Sequence, residues 1–316
     1  MCLGVFVAVL SQMNRSEFTD KRNLTQHYSH RLKIKINLFS KIKPYEMKKL
    51  LFLFFWLYQI GGLLAQNSVD TLEKEQSKKN ADDPANFLTR IEFFNELQHY
   101  ERNGNDFYVN QTTLRTILRI GKRFTTRIDL PYVYNSINTP ANHKQSGIGD
   151  ISFRLLGYKF WEKKLSAFTA SIEISMNTAQ SPILGTGKNV ILPVISYSKL
   201  IPKKKILVSA ILQQANSISG DDTRKDISFS KLQVIVLKYW SRRFWTVLAP
   251  EWFYDYINDG VSMNLRTRFT GAPTPRMNIW ITPSAGIFGD FAGRYQWSLD
   301  IGGRYFLFRE MKFKKK

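Results

Sequence analysis

The sequence predicts an all-β protein, a transmembrane antiparallel up-and-down β-barrel of about 12 strands. Three observations predict it. Apolar and polar residues alternate with a period of two, the alternating runs are even in number, and the connections between runs are alternately short and long. The 316 residues include 14% aromatic residues, and the mean hydropathy is −0.27. This composition excludes an intrinsically disordered chain and a bundle of transmembrane helices.

Alternation is clearest between Phe124 and Tyr134, where apolar or aromatic residues occupy every second position. Polar residues, among them Arg127 and Asp129, lie between them. Because successive side chains of a strand point to opposite faces, the pattern indicates a strand with one apolar and one polar face. The strands predicted in this way are 88–99, 109–120, 123–134, 148–159, 165–176, 189–199, 205–215, 229–240, 243–254, 260–270, 276–287 and 295–308.

The connections and the strand ends favour closure into a membrane barrel. Short turns such as Gly121-Lys122 alternate with longer segments such as 135–147 and 177–188. Outer-membrane barrels have this asymmetry, with short periplasmic turns and longer outer loops. Aromatic residues gather at strand ends, as Tyr132 and Tyr134 do. Their amphipathic rings are favoured at the level of the lipid headgroups.

Charges of both signs recur on the polar side of the strands. An arginine or lysine that faces lipid near the bilayer midplane costs about 2–4 kcal/mol, so we expect these side chains to face an aqueous lumen. The predicted lumen-lining residues are Arg115, Arg119, Arg127, Asp129, Asp150, Arg154, Glu173, Glu251, Asp255, Arg266, Arg268 and Asp300. They either pair with solutes or form a salt-bridge ladder that closes the barrel. The alternative fold is a secreted soluble β-sandwich, whose apolar faces would pack against each other.

The segment before the strands predicts export. Met47-Lys48-Lys49 precedes an apolar run and then Ala65, as in a signal peptide with its cleavage site. The run, from Leu50 to Leu64, has 15 residues. A helix needs ~20 residues to span a bilayer, which disfavours the alternative of a transmembrane anchor. We assign 47–65 to the signal peptide and 1–46 to an upstream extension from a mis-called translation start, the alternative being an authentic cytoplasmic extension.

The remaining boundaries follow from composition. Residues 66–86 are polar and charged, and we expect a flexible periplasmic lead-in there. The barrel then takes 87–308, and 309–316 form a basic tail. The last strand closes on Phe308 and looks like the aromatic C-terminal signal by which outer-membrane barrels are recognised for insertion, although the tail departs from that pattern.

These features predict a location and a set of partners. We expect the outer membrane of a Gram-negative bacterium, with contacts to its lipid and lipopolysaccharide, to the barrel-insertion machinery and to a small-molecule solute. The formal net charge is +21, and a basic excess of this kind can indicate a protein that binds nucleic acid. The chain has no nucleic-acid motif and is predicted to be exported, so an anionic lipid surface is the expected neighbour and nucleic acid is not.

Two short motifs connect the barrel to a known family. Ser146-Gly147-Ile148-Gly149-Asp150 opens a predicted strand, and the loop from Ser181 to Gly187 (SPILGTG) precedes the next one. With the order of hairpins, these motifs resemble the MetA-pathway phenol-degradation family of outer-membrane barrels over residues 87–308. The resemblance implies a barrel that admits small, often hydrophobic or aromatic molecules, and it supplies no catalytic residues.

The sequence offers little catalytic chemistry. Of the four histidines, His99 and His143 follow the signal peptide, and no GxSxG motif accompanies them. The chain has a single cysteine, Cys2, and Asp221-Asp222 lacks the spacing of a calcium cage. We therefore expect no enzyme, no cofactor and no metal site.

The function predicted from these patterns is passive or facilitated passage of small molecules through a narrow charged lumen. No nucleotide-binding or energy-coupling motif is visible, which favours movement down a gradient. One alternative is a structural or ligand-binding barrel without a pore. The other is an outer-membrane enzyme that modifies lipids.

Overall fold

The computed structural model describes residues 82–102, 105–137, 144–241, 243–289 and 295–307. All of them belong to one of the two compact units into which the chain divides. The upstream extension, the signal peptide, most of the lead-in, Phe308, the basic tail and His143 lie outside these ranges. No helix in the described ranges is both long enough and apolar enough to cross a bilayer.

Within the described ranges, thirteen strand segments form one closed antiparallel sheet. The segments are β1 (Arg90–Arg102), β2 (Asn105–Ile120), β3 (Phe124–Ile137), β4 (Lys144–Ile148), β5 (Ser152–Lys163), β6 (Ser166–Ser175), β7 (Lys188–Ile201), β8 (Ile206–Gly220), β9 (Ser228–Tyr239), β10 (Phe244–Asp255), β11 (Gly260–Thr274), β12 (Met277–Phe288) and β13 (Trp297–Phe306). A short 3-10 turn, Pro202–Lys204, joins β7 to β8.

The segments make a barrel of twelve strands, because β4 and β5 are two halves of one. Both pair with β3, β4 along its second half and β5 along its first half. Each other strand pairs with its sequence neighbours, and β1 pairs with β13 to close the ring. The predicted fold class, a 12-stranded antiparallel barrel, is confirmed.

The outside of the barrel is apolar and the inside is polar. Ile128 and Ile172 point outward and are 41% and 45% exposed, whereas the neighbouring side chains of Arg127 and Glu173 are 13% and 10% exposed. An outer surface of isoleucine, leucine and phenylalanine is stable only against hydrocarbon, because exposing it to water costs free energy in proportion to its area. The alternation therefore places lipid outside and charge inside, as a membrane barrel requires.

The two ends of the barrel differ. The lower end holds the turns 121–123, 164–165, 202–205 and 275–276. It also holds the start of β1, the end of β9, the start of β10 and the end of β13. The upper end holds the longer connections 176–187 and 221–227. Outward-facing aromatic residues mark both rims: Tyr108, Tyr132, Tyr134, Tyr254 and Trp297 above, Phe124, Phe160, Trp161, Tyr197 and Tyr305 below.

Candidate functional site

The barrel encloses a cavity of about 460 Å³. Nine of the twelve charged residues predicted to line a lumen are on its wall: Arg115, Arg127, Asp129, Arg154, Glu173, Glu251, Arg266, Arg268 and Asp300. Their strands bring them to similar heights, because the inward position opposite Arg115 on β3 is Asp129, and that opposite Arg154 on β6 is Glu173. The cavity is therefore walled by charges that face one another.

Arginines and carboxylates alternate along this wall. The Nε and Nη2 atoms of Arg115 donate to the two carboxylate oxygens of Asp129 at 2.7 and 2.8 Å. Arg127 and Arg154 both donate to Glu173, each with a shortest distance of 2.7 Å. Nearly every charged side chain of the wall has a neighbour of opposite charge. The wall therefore attracts a charged solute only where such a neighbour is missing or displaced.

The other three predicted residues lie elsewhere. The Nε atom of Arg119 donates to the carbonyl of Gly121 at the lower rim. Asp255 accepts the backbone N–H groups of Ile257 and Asn258, and so caps an upper turn. Asp150 lies between β4 and β5, where it holds a loop.

That loop, residues 176–187, folds into the upper mouth. One oxygen of Asp150 accepts the N–H groups of Thr178 and Ala179, each at 3.2 Å, and the other accepts the N–H of Thr186 at 2.6 Å. Leu184, on the same loop, is 1% exposed and packs in an apolar cluster with inward residues of β1, β2 and β3. The loop thus narrows the upper mouth with apolar contacts.

Gly185 makes this approach possible. A Cβ atom at this position would lie 2.5 Å from a carboxylate oxygen of Asp150 and 2.4 Å from the Cβ of Ala179. Any larger residue would push the loop off its anchor. The two motifs Ser146–Asp150 and Ser181–Gly187 are therefore halves of a single unit, which their separation in the sequence conceals.

The lower mouth is closed by residues 82–87, which turn into the barrel before β1 begins. Ala85 and Phe87 are 3% and 6% exposed, and the ammonium of Lys159 lies 5.4 Å from the centre of the Phe87 ring. Asp82, the first residue that the structure describes, lines the central cavity. The structure thus places the end of the predicted flexible lead-in inside the barrel.

Four side chains of the wall bind the Asp82 carboxylate. Oδ1 accepts hydrogen bonds from Arg304 at 2.8 Å and Arg268 at 3.2 Å. Oδ2 accepts the indole N–H of Trp245 at 2.6 Å and the hydroxyl of Thr270 at 3.3 Å. Burial opposes ionisation of Asp82, but attraction by Arg304 and Arg268 outweighs it and holds the pKa of this carboxyl below its usual range.

A second cavity, of about 220 Å³, lies beside this segment. Both cavities share six charged wall residues: Asp82, Glu92, Arg115, Arg127, Arg154 and Arg268. These residues mark the level at which the two cavities adjoin. Four of the six are arginines, so this level is the most basic part of the passage.

One side of the central cavity carries most of its aliphatic residues. The residues concerned lie on four adjacent strands, β7 to β10: Leu192, Val194, Ile211, Phe229, Ile235, Val247, Ala249 and Phe253. Most of the charged residues lie on the strands across the ring. A molecule in the cavity therefore meets mainly arginines and carboxylates on one side, and on the other side hydrocarbon interspersed with Gln213, Lys231, Gln233 and Glu251.

The sequence prediction did not include Glu92, Glu96, Arg304 or Asp82. Glu92 and Glu96 share the inward face of β1, and Arg304 lies opposite Glu92 on β13. Alternation along β1 contains this signal, but adjacent Phe93 and Phe94 obscure it. No periodicity marks Asp82. Within the described ranges, no group of three or more histidine, aspartate and glutamate residues is arranged to hold a metal ion.

Comparison with solved structures shows a fold shared with one outer-membrane channel and a weaker likeness to two porins. The crystal structure of the COG4313 outer membrane channel from Pseudomonas putida F1 has a TM-score of 0.60 and 12% sequence identity, covering 71% of this chain and 98% of that chain. The NanC porin aligns with a TM-score of 0.49, 10% identity and coverage of 69% and 100%. The KdgM porin gives 0.46, 8%, 68% and 98%. No protein-family model matches the sequence, and no curated protein is significantly similar to it.

Proposed function

We propose that the protein is an outer-membrane channel for passive or facilitated passage of small molecules. The observation that carries this proposal is the charged central cavity inside a barrel whose outer surface is apolar. Buried charges reduce the stability gained from a core, so a wall of arginines and carboxylates is better suited to solvating a polar solute than to packing. We infer no enzymatic activity, since the wall residues are paired as ions rather than as nucleophile and base.

The solute class can be narrowed by the family resemblance. The loop unit formed by Ser146–Asp150 and Ser181–Gly187 supports membership of the MetA-pathway phenol-degradation family, whose barrels are expected to admit small hydrophobic or aromatic molecules. The apolar wall on β7 to β10 suits such a molecule. The apolar outer surface supports lipid and lipopolysaccharide as neighbours, and delivery to the membrane would use the barrel-insertion machinery.

One observation favours the second candidate, a barrel without a pore that binds a ligand. Both mouths are narrowed, the upper by residues 176–187 and the lower by residues 82–87. If neither segment moves, the central cavity is a closed binding site. The two candidates differ in a single measurable property, ionic conductance.

Single-channel recording in planar bilayers tests the proposal. We expect the wild-type protein to give discrete conductance steps. Replacing Arg127 and Arg154 by glutamine removes two positive charges from the cavity and should lower the anion-to-cation permeability ratio by about twofold or more. Arg119→Gln is the matched control, because this arginine lies at the lower rim outside the cavity, and it should leave the ratio unchanged.

Two outcomes would contradict these expectations. A protein that inserts in a folded state and gives no steps, even when Asp82 is replaced by alanine to release the lower segment, has no pore. A permeability ratio that Arg119→Gln changes as much as the double substitution does would show that the selectivity resides at the rim.

A further inference from the structure

The pocket that holds Asp82 has the composition of a carboxylate-binding site. Two guanidinium groups, an indole N–H and a hydroxyl converge on one carboxylate, and they come from β10, β11 and β13. Arginine and neutral N–H or O–H donors arranged around both oxygens are the chemistry by which proteins recognise carboxylates. The carboxylate in the pocket belongs to a segment outside the barrel strands, so it is a tethered occupant.

Arg304 retains capacity for a further anion. Its side chain is 2% exposed, yet within the described ranges its Nε and Nη1 atoms have no hydrogen-bond partner. The nearest carboxylate oxygen to Nε, on Glu92, is 3.6 Å away, beyond hydrogen-bond length. The guanidinium stacks over the ring of Trp280 at 4.6 Å, which fixes its plane. A buried guanidinium with unused donors is costly in a structural ion pair and useful in an anion site.

The surroundings also indicate the body of the ligand. Trp245, which donates to Asp82, packs in a buried cluster with Val247, Ile235 and Leu237. Asp82 and Arg268 also line the central cavity of about 460 Å³, and Ile235, Val247 and Trp280 line the same cavity, which gives room for an apolar group beside the carboxylate. A carboxylate held by Arg268 and Arg304 would therefore have an apolar surface next to it.

We propose that Arg268, Arg304, Trp245 and Thr270 form a binding site for small carboxylates with an apolar body, which Asp82 occupies until such a solute displaces it. The inference rests on the proposed channel function, for which it names the solute class. Solute and Asp82 compete for the same donors, so binding of one weakens binding of the other. A carboxylate entering the cavity therefore releases residues 82–87 and opens the lower mouth.

Calorimetric titration of the full-length, detergent-solubilised protein with benzoate tests the site without requiring conduction. Asp82→Ala removes the internal competitor, and we expect benzoate to bind at least ~10-fold more tightly than to the wild type. Benzamide, the neutral isostere, should bind neither protein measurably. Asp226→Ala is the matched control, because it removes a carboxylate that pairs with Lys188 at the upper end, and should leave benzoate affinity at the wild-type value.

Two further variants complete the test. In the Asp82→Ala background, Arg268→Gln and Arg304→Gln together should abolish benzoate binding, with folding checked by the heat-dependent shift in gel migration. Because the double arginine substitution also removes buried ion pairs, a milder variant keeps the test independent of folding. Thr270→Val in the same background removes a donor without removing charge, and should weaken binding about 2- to 10-fold. Equal benzoate affinity in the wild type and Asp82→Ala, or equal binding of benzamide, overturns the proposal.

Binding and conduction separate the two proposals. Tighter benzoate binding by Asp82→Ala, with no conductance from any variant, would retain the carboxylate site and reject the channel. Conductance with an unchanged benzoate affinity would retain the channel and reject the site.

Discussion

Each mouth of the barrel is narrowed by a segment that one carboxylate holds, but the carboxylate belongs to the wall at the upper mouth and to the segment at the lower mouth. At the upper mouth, Asp150 belongs to the wall and accepts backbone N–H groups from the loop 176–187. At the lower mouth, Asp82 belongs to the segment 82–87 itself, and the wall supplies Arg268 and Arg304. The same chemical group is thus held by neutral backbone N–H groups at the upper mouth and by guanidinium cations at the lower mouth.

This difference determines which of the two mouths a solute can open. A solute cannot replace the wall carboxylate of Asp150, because that group is covalently part of the barrel. It can replace Asp82, because any carboxylate offers the arginines the same oxygens. The upper closure is therefore a fixed constriction and the lower closure is exchangeable.

The largest expected effect is the loss of the upper attachment. Asp150→Ala leaves the N–H groups of Thr178, Ala179 and Thr186 without their acceptor, and hydrogen bonds to a charged group contribute about 1.5–3 kcal/mol. Amide hydrogen exchange in 176–187, followed by mass spectrometry, should accelerate about 10- to 150-fold.

The control for that experiment is Asp255→Ala, which removes a carboxylate that caps the turn after β10 and does not contact the loop 176–187. It should leave exchange in 176–187 unchanged while accelerating exchange at Ile257 and Asn258. If Asp150→Ala leaves the loop protected, apolar packing of Leu184 holds it and the comparison between the mouths fails.

An intermediate effect is expected from ionic strength. Raising the salt concentration from about 0.1 M to about 1 M shortens the screening length from about 10 Å to about 3 Å. Exchange of the amides of residues 85–89 should accelerate about two- to fivefold, since the pairs of Asp82 with Arg268 and Arg304 are partly buried. Exchange in 176–187 should not change. Equal acceleration at both mouths would show that their attachments do not differ in ionic character.

The smallest effect is expected from mild acid. The pKa of Asp82 is lowered from its ordinary value of 3.8, so the stability it contributes is present above that value and is lost as the pH falls through the lowered pKa. The lower mouth should stay closed to the same extent throughout this range. The open probability measured in bilayers should therefore be constant between about pH 7 and about pH 4.5. A rise in open probability within this window would show that Asp82 does not hold the segment.

Alternation was sufficient to predict the barrel and most of its inner wall. Arg127, Glu173 and Arg268 lie on strands whose outward residues are mostly apolar, with Thr126 and Thr267 as exceptions, so their direction follows from the period of two. β1 was harder, because Phe94 faces inward and lies 5.1 Å beneath the guanidinium of Arg115. An aromatic residue that serves as a platform for an arginine breaks the rule that inward positions are polar.

The closures could not be predicted from local sequence. Asp150 reads as one more polar residue at the start of a strand, and its role depends on a loop whose partner residues begin 28 positions later. Asp82 lies in a segment whose composition resembles a linker. Its partners lie on β10, β11 and β13, and the segment before β1 reaches them only through the pairing of β1 with β13 that closes the ring. Long-range hydrogen bonds of this kind carry no periodic signal.

Asp82 and Arg304 are 222 residues apart in the chain, and Arg304 lies on the strand that closes the ring against β1. The donors of the lower pocket lie on β10, β11 and β13, which belong to one run of neighbouring strands, whereas Asp82 precedes β1 and comes next to them through the pairing of β1 with β13. Loop-closure entropy makes such distant contacts late events in folding. During assembly, residues 82–87 reach these donors when β1 pairs with β13. Protection of residues 82–87 therefore reports that the barrel has closed.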